Sequence, residues 1–464
     1  MTLFTTDPRA LRMRRFQTFR GILHKLATSS RTRIPLCGWR RKLLFVMVAG
    51  APVILAGSKA TEIAFASVCL DIGTPPALRR ALAADPSDPE VRHRLGQALL
   101  YNFTDANAKD GFQDLREATR LAPSRPLYWE DLALASESLN DDLSAQIAIV
   151  QALKLAPVSP RVHWLAANYD LDSGETTEGL AQLREVLRLG PDYAAPVYEL
   201  CLLSEVDPAT VENTVLPAGD GPALRLEYAT FLANQGQADA AGKVWNDTVA
   251  ANHPFPFSLA QPYVDSLMRA KDYGQAHRAW KDLERIGAIE RPDNSGADEM
   301  MFNGGFERQP LNAGFDWHYG ETSYLALNFA EGRAAEGHRC LRLTFTVPSN
   351  AEYEPVFEDV AVEPSRAYIL TALARSEGIT SDSGPRLRVI DLVQPEVLDT
   401  STAQTVGTTS WHTIQVKFTT GAYTHFIQVF IWRPQAVTFP AQISGIFWLD
   451  GVSLKRRFEV SRAS

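Results

Sequence analysis

The sequence predicts a multidomain α plus β protein: a solenoid of stacked helix hairpins, then an antiparallel β-sandwich, with one N-terminal transmembrane segment ahead of both. Three observations predict it. An uncharged apolar run, LLFVMVAGAPVILAG, fills Leu43–Gly57. Pro123, Pro157 and Pro191 stand 34 residues apart, each closing an apolar stretch (ATRLAP, ALKLAP, VLRLGP). Beyond residue 300 the apolar period changes from helical to alternating.

A chain of 464 residues exceeds one ordinary core. Its 45% hydrophobic and 22% charged content is that of a globular protein. The net charge of -8 is divided unevenly: residues 1–42 hold eleven Lys/Arg and one acid, so the remaining 422 carry -18. Such an acidic body repels phosphates, which argues against a nucleic-acid partner, whereas the basic head suits anionic lipid. The four cysteines, Cys37, Cys69, Cys201 and Cys340, are scattered without a CxxC pair, so no zinc site or disulfide framework is expected.

The apolar run spans about 22 Å as a helix, short of a bilayer core of roughly 30 Å, and reaches it by continuing to Ala66. Lys59 and Glu62 are the only charges in that extension. Arg40, Arg41 and Lys42 directly before the run hold this end in the cytoplasm. The expected division is therefore a basic cytoplasmic tail over 1–42 and a transmembrane signal anchor over 43–66. The body then lies outside the cytoplasm, on an inner membrane. A signal peptide cleaved after Ala64-Phe65-Ala66, leaving a secreted protein, and a buried helix of a soluble protein are the open alternatives.

Aligned on the prolines, the preceding helices match. Twelve positions back stand the small residues Gly111, Ala145 and Gly179, as a close helix–helix approach requires. Eight back stand Leu115, Ile149 and Leu183, and two back Leu121, Leu155 and Leu189, which fill the space between hairpins. Leu95-Gly96 and Trp129-x-x-Leu132-Ala133 occupy the partner helices. Gly236-x4-Ala241-x3-Trp245 and Tyr273-x2-Ala276-x3-Trp280 repeat the second-helix pattern 35 residues apart. Pro208 and Pro217–Pro222 are expected to break the pattern between them.

This arrangement resembles the tetratricopeptide repeat over 75–288. The resemblance implies a curved solenoid whose concave groove takes a protein partner. The matching groove positions are His93, Gln97, Tyr101, Glu130, Trp164, Asn168 and Tyr198, while Trp129, Trp245 and Trp280 fall at interior positions.

RPDNSGADE marks a linker, 289–299. The segment 300–456 then carries short alternating runs between turn residues, the pattern of a β-sandwich, and 457–464 is a tail. It opens on Asn303-Gly304-Gly305-Phe306-Glu307 and closes on Phe447-Trp448-Leu449-Asp450-Gly451. With Ser410-Trp411 between, it resembles the galactose-binding-like jelly rolls that include many carbohydrate-binding modules. The resemblance implies a structural calcium at Glu307 and Asp450, although Gly451 stands where that family shows a second Asp. It also implies core positions for Trp411 and Trp448 and leaves one open for Trp317.

A sugar site needs flat rings beside polar groups. The candidates are Trp317, His318, Tyr319, Tyr324, Trp432 and Arg433. The sequence holds no HExxH, GxSxG, P-loop or GxGxxG motif. The expected function is thus a non-catalytic, membrane-anchored envelope scaffold. Its solenoid binds a protein and its jelly roll binds a glycan or a second protein, as in surface polysaccharide assembly or export. A purely structural interaction module and a glycoside-acting enzyme are the alternatives.

Overall fold

The computed structural model describes residues 38–100, 105–216, 221–251, 253–292, 296, 298–320 and 322–457. The expectations for 1–37, Tyr101 and 458–464 lie outside them. The chain forms two compact units that meet between Leu155 and Ala156.

The first unit is helical: α1 Trp39–Ile72, α2 Pro75–Ala84, α3 Pro89–Leu100, α4 Asp105–Leu121, α5 Pro126–Ser138 and α6 Asp142–Leu155. The expected 43–66 segment is not a separate helix. It runs on without a break to Ile72, and Ala66 and Cys69 pack with Ala77, Ala81 and Val91. The earlier turns expose Val46, Met47, Val48 and Val53. Among the described residues no helix is long and apolar enough to cross a membrane. The side chains of Pro52, Ile54, Leu55 and Lys59 lie outside that description.

The small residues of the repeats sit where helices touch. A Cβ on Gly111 would stand 2.9 Å from the Gly96 carbonyl oxygen, and one on Gly96 would meet the Leu115 side chain at 2.6 Å. Only two glycines allow α3 and α4 to close to this distance. Each marker proline follows the end of its helix, and after Pro123 and Pro157 a second proline, Pro126 or Pro160, opens the next. The first helical turn has no partner for its N–H groups, so proline costs nothing there.

The second unit begins with further helices: α7 Pro160–Asp172, α8 Thr176–Leu189, α9 Ala194–Leu203, α10 Pro208–Thr214, α11 Ala223–Asn234, α12 Ala238–Ala250, α13 Phe257–Arg269 and α14 Tyr273–Arg285. Pro208 does not break a helix. It opens the short α10, capped by the Asp207 side chain, which accepts from the Ala209 and Thr210 N–H groups. Trp245 stacks on Tyr263 at 4.9 Å and is buried, as is Trp280. Trp129 is only half-buried, its indole N–H donating to the Pro123 carbonyl.

The same core continues past the helices. Ile289, Phe302 and Phe315 belong to it, and the Phe302 ring stands 5.2 Å from Trp280. Arg291 donates to the Met300 and Met301 carbonyls. Of the expected linker, Ile289 and Pro292 are thus buried and Arg291 and Glu299 partly so, while Glu290, Gly296 and Asp298 are exposed.

Two five-stranded antiparallel sheets follow. One has the order β1-β4-β9-β6-β7: β1 His318–Tyr319, β4 Tyr353–Ala361, β9 Phe426–Arg433, β6 Arg386–Asp391 and β7 Asp399–Ser401. The other has the order β2-β3-β10-β5-β8: β2 Leu325–Glu331, β3 Arg339–Ser349, β10 Ile443–Arg456, β5 Ala367–Ile379 and β8 Gly407–Thr419. Leu341, Leu343, Val356, Leu370, Val429, Ile431 and Phe447 fill the space between them.

The opening and closing motifs meet. The Val452 N–H donates to the Gly304 carbonyl at 2.9 Å, and Met300 N–H to that of Leu454 at 3.1 Å. A Cβ on Gly304 would stand 1.8 Å from the Val452 carbonyl oxygen, so this close approach excludes any side chain there.

Candidate functional site

In β9 successive side chains alternate. Ile427, Val429 and Ile431 enter the sandwich core, which leaves Phe426, Gln428, Phe430 and Trp432 on the outer face. In β6, Leu387 and Val389 point inward and Arg386 and Arg388 outward. The register sets Phe357, Phe430 and Arg388 side by side, and Trp432 beside Arg386.

The outcome is a face of rings and guanidinium groups. The Arg388 guanidinium lies 4.3 Å from the Trp432 ring centroid and 5.6 Å from that of Phe430. The Arg386 guanidinium lies 5.3 Å from Trp432. Arg388 is held by a fork of two bonds to Asp399, its Nε donating to Oδ1 at 2.7 Å. That carboxylate raises the Arg388 pKa further. Trp432 donates its indole N–H to Glu352 at 2.7 Å. Gln428 donates to Asp359, whose burial pushes its pKa up to about 6. At the β1 edge the His318 and Phe357 rings stack in parallel at 4.7 Å.

Phe430 and Asp359 are buried, which leaves the partly exposed rings of Trp432, Phe357 and His318 with the Arg386 and Arg388 guanidinium groups; together these can grip a polyhydroxylated ring. The rings take its C–H face and the polar groups its hydroxyls.

Of the sequence-predicted sugar residues, the structure brings Trp432 and His318 to this face. Trp317 is corrected: it is fully buried beside Phe306, its indole N–H donating to the Asn303 carbonyl. Arg433 is also corrected. It follows Trp432 and is fully buried, where it donates to Ser383, Ala351, Asn350, Ser381 and Ala441. It therefore ties three loops together. Tyr319 packs edge-on against Phe329, and Tyr324 donates to the Glu352 carbonyl. Trp411 is half-buried. Trp448 is fully buried, but on the outer side of the second sheet, between Arg342 and Arg375.

The expected groove residues are largely interior. In the first unit, His93 is buried, stacks on Tyr128 at 4.3 Å and meets the Asp131 carboxylate at 2.5 Å. Gln97 donates to the same carboxylate, and Glu130 is buried. In the second unit, Tyr198 is buried against Tyr228 and donates to the Leu224 carbonyl. His93, Glu130 and Tyr198 are thus corrected from surface to buried residues; Tyr128 and Asp131 of α5 cover His93, and Tyr228 of α11 covers Tyr198. Trp164 and Asn168 stay partly accessible, with Asn168 donating back to the Trp164 carbonyl.

Glu307 and Asp450 act on backbone. Glu307 accepts from His338 and Arg339 N–H groups. Asp450 accepts from Ala335, Glu336 and Gly451. Three of the roughly four lone-pair positions of each carboxylate are used. Calcium needs six to eight oxygens. Among the described residues no group of three or more His, Cys, Asp or Glu side chains is arranged to hold a metal. The pair does not fit that ion and instead caps the 335–339 loop.

Sequence reading missed Phe357, Phe430, Arg386, Arg388 and Gln428. The signal was present: in FIQVFIW (426–432) and RLRV (386–389) every second residue is aliphatic, and the others are aromatic, amide or arginine.

Neither a protein-family model nor a curated protein matches the chain. Among solved structures it is similar to "Family 16 Carbohydrate Binding Module-2" at 17% identity, over 30% of this chain and 89% of that one, with a TM-score of 0.22. It is similar to MamA at 12% identity, over 43% and 90%, with a TM-score of 0.26. The likeness to pilF of Pseudomonas aeruginosa has 15% identity, covers 50% and 92%, and has a TM-score of 0.27.

Proposed function

We propose that this protein is a non-catalytic, membrane-held binding protein that takes a glycan on the outer face of the β1-β4-β9-β6-β7 sheet and a protein on its helical repeats. Assembly or export of surface polysaccharide suits that pairing. The observation that carries the reading is the Trp432–Arg388–Arg386 cluster, where a half-exposed ring and two planar donors share one surface. The exposed apolar turns of α1 behind Arg40 and Lys42 support the membrane attachment.

One observation favours a second reading. Arg388 already covers part of Trp432, so the face also suits a self-contained structural role. A polysaccharide array probed with the full chain and with Trp432→Ala separates the two. Binding that disappears in the variant supports the glycan reading, and no binding by either supports the structural one. Extraction of membranes with alkaline carbonate tests the anchor: protein in the soluble fraction counts against it.

A further inference from the structure

The second helices of the hairpins repeat the same positions, so each shows what the fold requires of the others. Counted from the small contact residue (Gly111, Ala145 or Gly179), the positions two before, two after and five after form one outward row. In α4 they hold Lys109, Gln113 and Arg116, and in α8 Thr177, Ala181 and Arg184, all exposed. The matching positions of α12 and α14 carry no branched aliphatic residue either. In α6 they hold Leu143, Ile147 and Val150, which are 68%, 51% and 55% exposed. The core is filled from the opposite side of α6, by Ala145, Ala148, Ile149 and Ala152. The fold therefore has no need of aliphatic side chains in this row, and keeping three of them in water is unfavourable unless something covers them.

The row is complementary to itself. Asp142 stands in the first turn of α6 and Lys154 in the last, both exposed. Two α6 helices paired antiparallel about a two-fold axis between Ile147 and Val150 set Ile147 against Val150 of the second copy. Leu143 then lies against the carbon stem of Lys154 of the second copy. The acidic start of each helix comes beside the basic last turn of the other, whereas a parallel pairing would bring like charges together. An anionic lipid surface suits the row less well, because Asp141 and Asp142 stand at its head and Lys154 is its one basic residue.

We propose that α6 is a self-association surface, on which two copies of this chain pair antiparallel through Leu143, Ile147 and Val150. The exposed parts of these side chains amount to roughly 600 Å² for the pair, about half of the ~1,200 Å² at which stable interfaces begin. The contact is therefore weak between free molecules. It becomes effective between chains held on one membrane, where attachment raises their local concentration. That last step rests on the proposed membrane attachment, and the pairing itself does not.

The test is cross-linking of the full chain in membranes with a short bifunctional maleimide. Ile147→Cys is expected to give a band of twice the chain mass, at least fivefold stronger than wild type or Gln113→Cys, the matching exposed position of α4. Equal bands from Ile147→Cys and Gln113→Cys, or none above wild type, overturn the proposal. A conjugate with a different protein in place of the double-mass band overturns it as well. In the Ile147→Cys background, Lys154→Glu is expected to weaken the band at least threefold and Asp142→Lys added to it to restore the band. A band that stays weak in the charge-swapped chain refutes the antiparallel arrangement. A polarity-sensitive dye on Ile147→Cys that shifts to the blue on dilution into excess lipid assigns the row to lipid and overturns the pairing. Chain released by alkaline carbonate refutes the membrane reading alone, since a specific Ile147→Cys band from that concentrated soluble chain still supports the pairing.

Discussion

Each sheet of the sandwich carries on its outer side a tryptophan in contact with two arginines, from both flanking strands at Trp448 and from β6 alone at Trp432, and the two arrangements have opposite consequences. On the second sheet, Trp448 pairs across strands with Arg342 and Arg375, whose guanidinium groups lie 5.9 Å and 4.7 Å from its ring. That indole is fully buried, and its N–H has no partner. On the first sheet, Trp432 has Arg388 and Arg386 over it, yet it stays half-exposed and its N–H bonds Glu352. The same residue types thus close one surface and leave the other accessible. Distance to the arginines is not what differs, since Arg388 lies closer to Trp432 than Arg375 or Arg342 does to Trp448; on the first sheet Arg388 also bonds Asp399 and Arg386 bonds Gln404.

The comparison is most directly broken by removing each ring. Trp448→Ala is expected to cost about 3–5 kcal/mol of stability, as for other buried Trp-to-Ala changes, read as a lower midpoint in urea. Trp432→Ala is expected to cost about 1 kcal/mol or less, because its ring is already half in water. Its main effect is on binding, with at least a tenfold loss of affinity for the array-selected polysaccharide. Equal destabilisation by both would erase the distinction.

Protonation sharpens it. Asp359, buried beside Gln428, has a pKa raised to about 6 by that burial, so the folded state holds its proton more tightly than the unfolded chain. Its stabilising contribution is complete below about pH 4 and is lost as pH rises through 6. His277 works in the opposite sense: burial lowers its pKa to about 4, so stability from this group rises between pH 4 and 6.5. Asp359→Asn isolates the first effect. Relative to wild type, the variant should gain about 1–2 kcal/mol on going from pH 4 to pH 7, measured by denaturation at each pH.

Smaller effects follow. Asp399→Asn removes the charge that holds Arg388 and should change glycan affinity about threefold, the size of a partly exposed ion pair. Calcium should not move the thermal midpoint, because Glu307 and Asp450 are occupied by backbone N–H groups. A rise with calcium that chelator reverses would refute that assignment.

The helical hairpins were legible because their signal is local. A 34-residue proline ruler and small residues at one repeat position specify contacts that each hairpin makes within itself, as Gly96 and Gly111 show. The opening and closing motifs of the sandwich were legible for a related reason, since Gly304 can sit against Val452 only without a side chain. The site was less legible. Trp317, Arg433, His93 and Tyr198 have the chemistry of binding residues, but their exposure depends on what packs over them.

The sequence by itself determined the order of elements, the inward-facing residues of each strand and the close approaches that demand glycine. These follow from periods of 3.6 and 2 and from the space a Cβ occupies. Only the tertiary structure decided which of two similar Trp–Arg clusters stays open, and that α14 stands at the end of β9. Both depend on residues far apart in the chain meeting, and no local pattern encodes such a meeting.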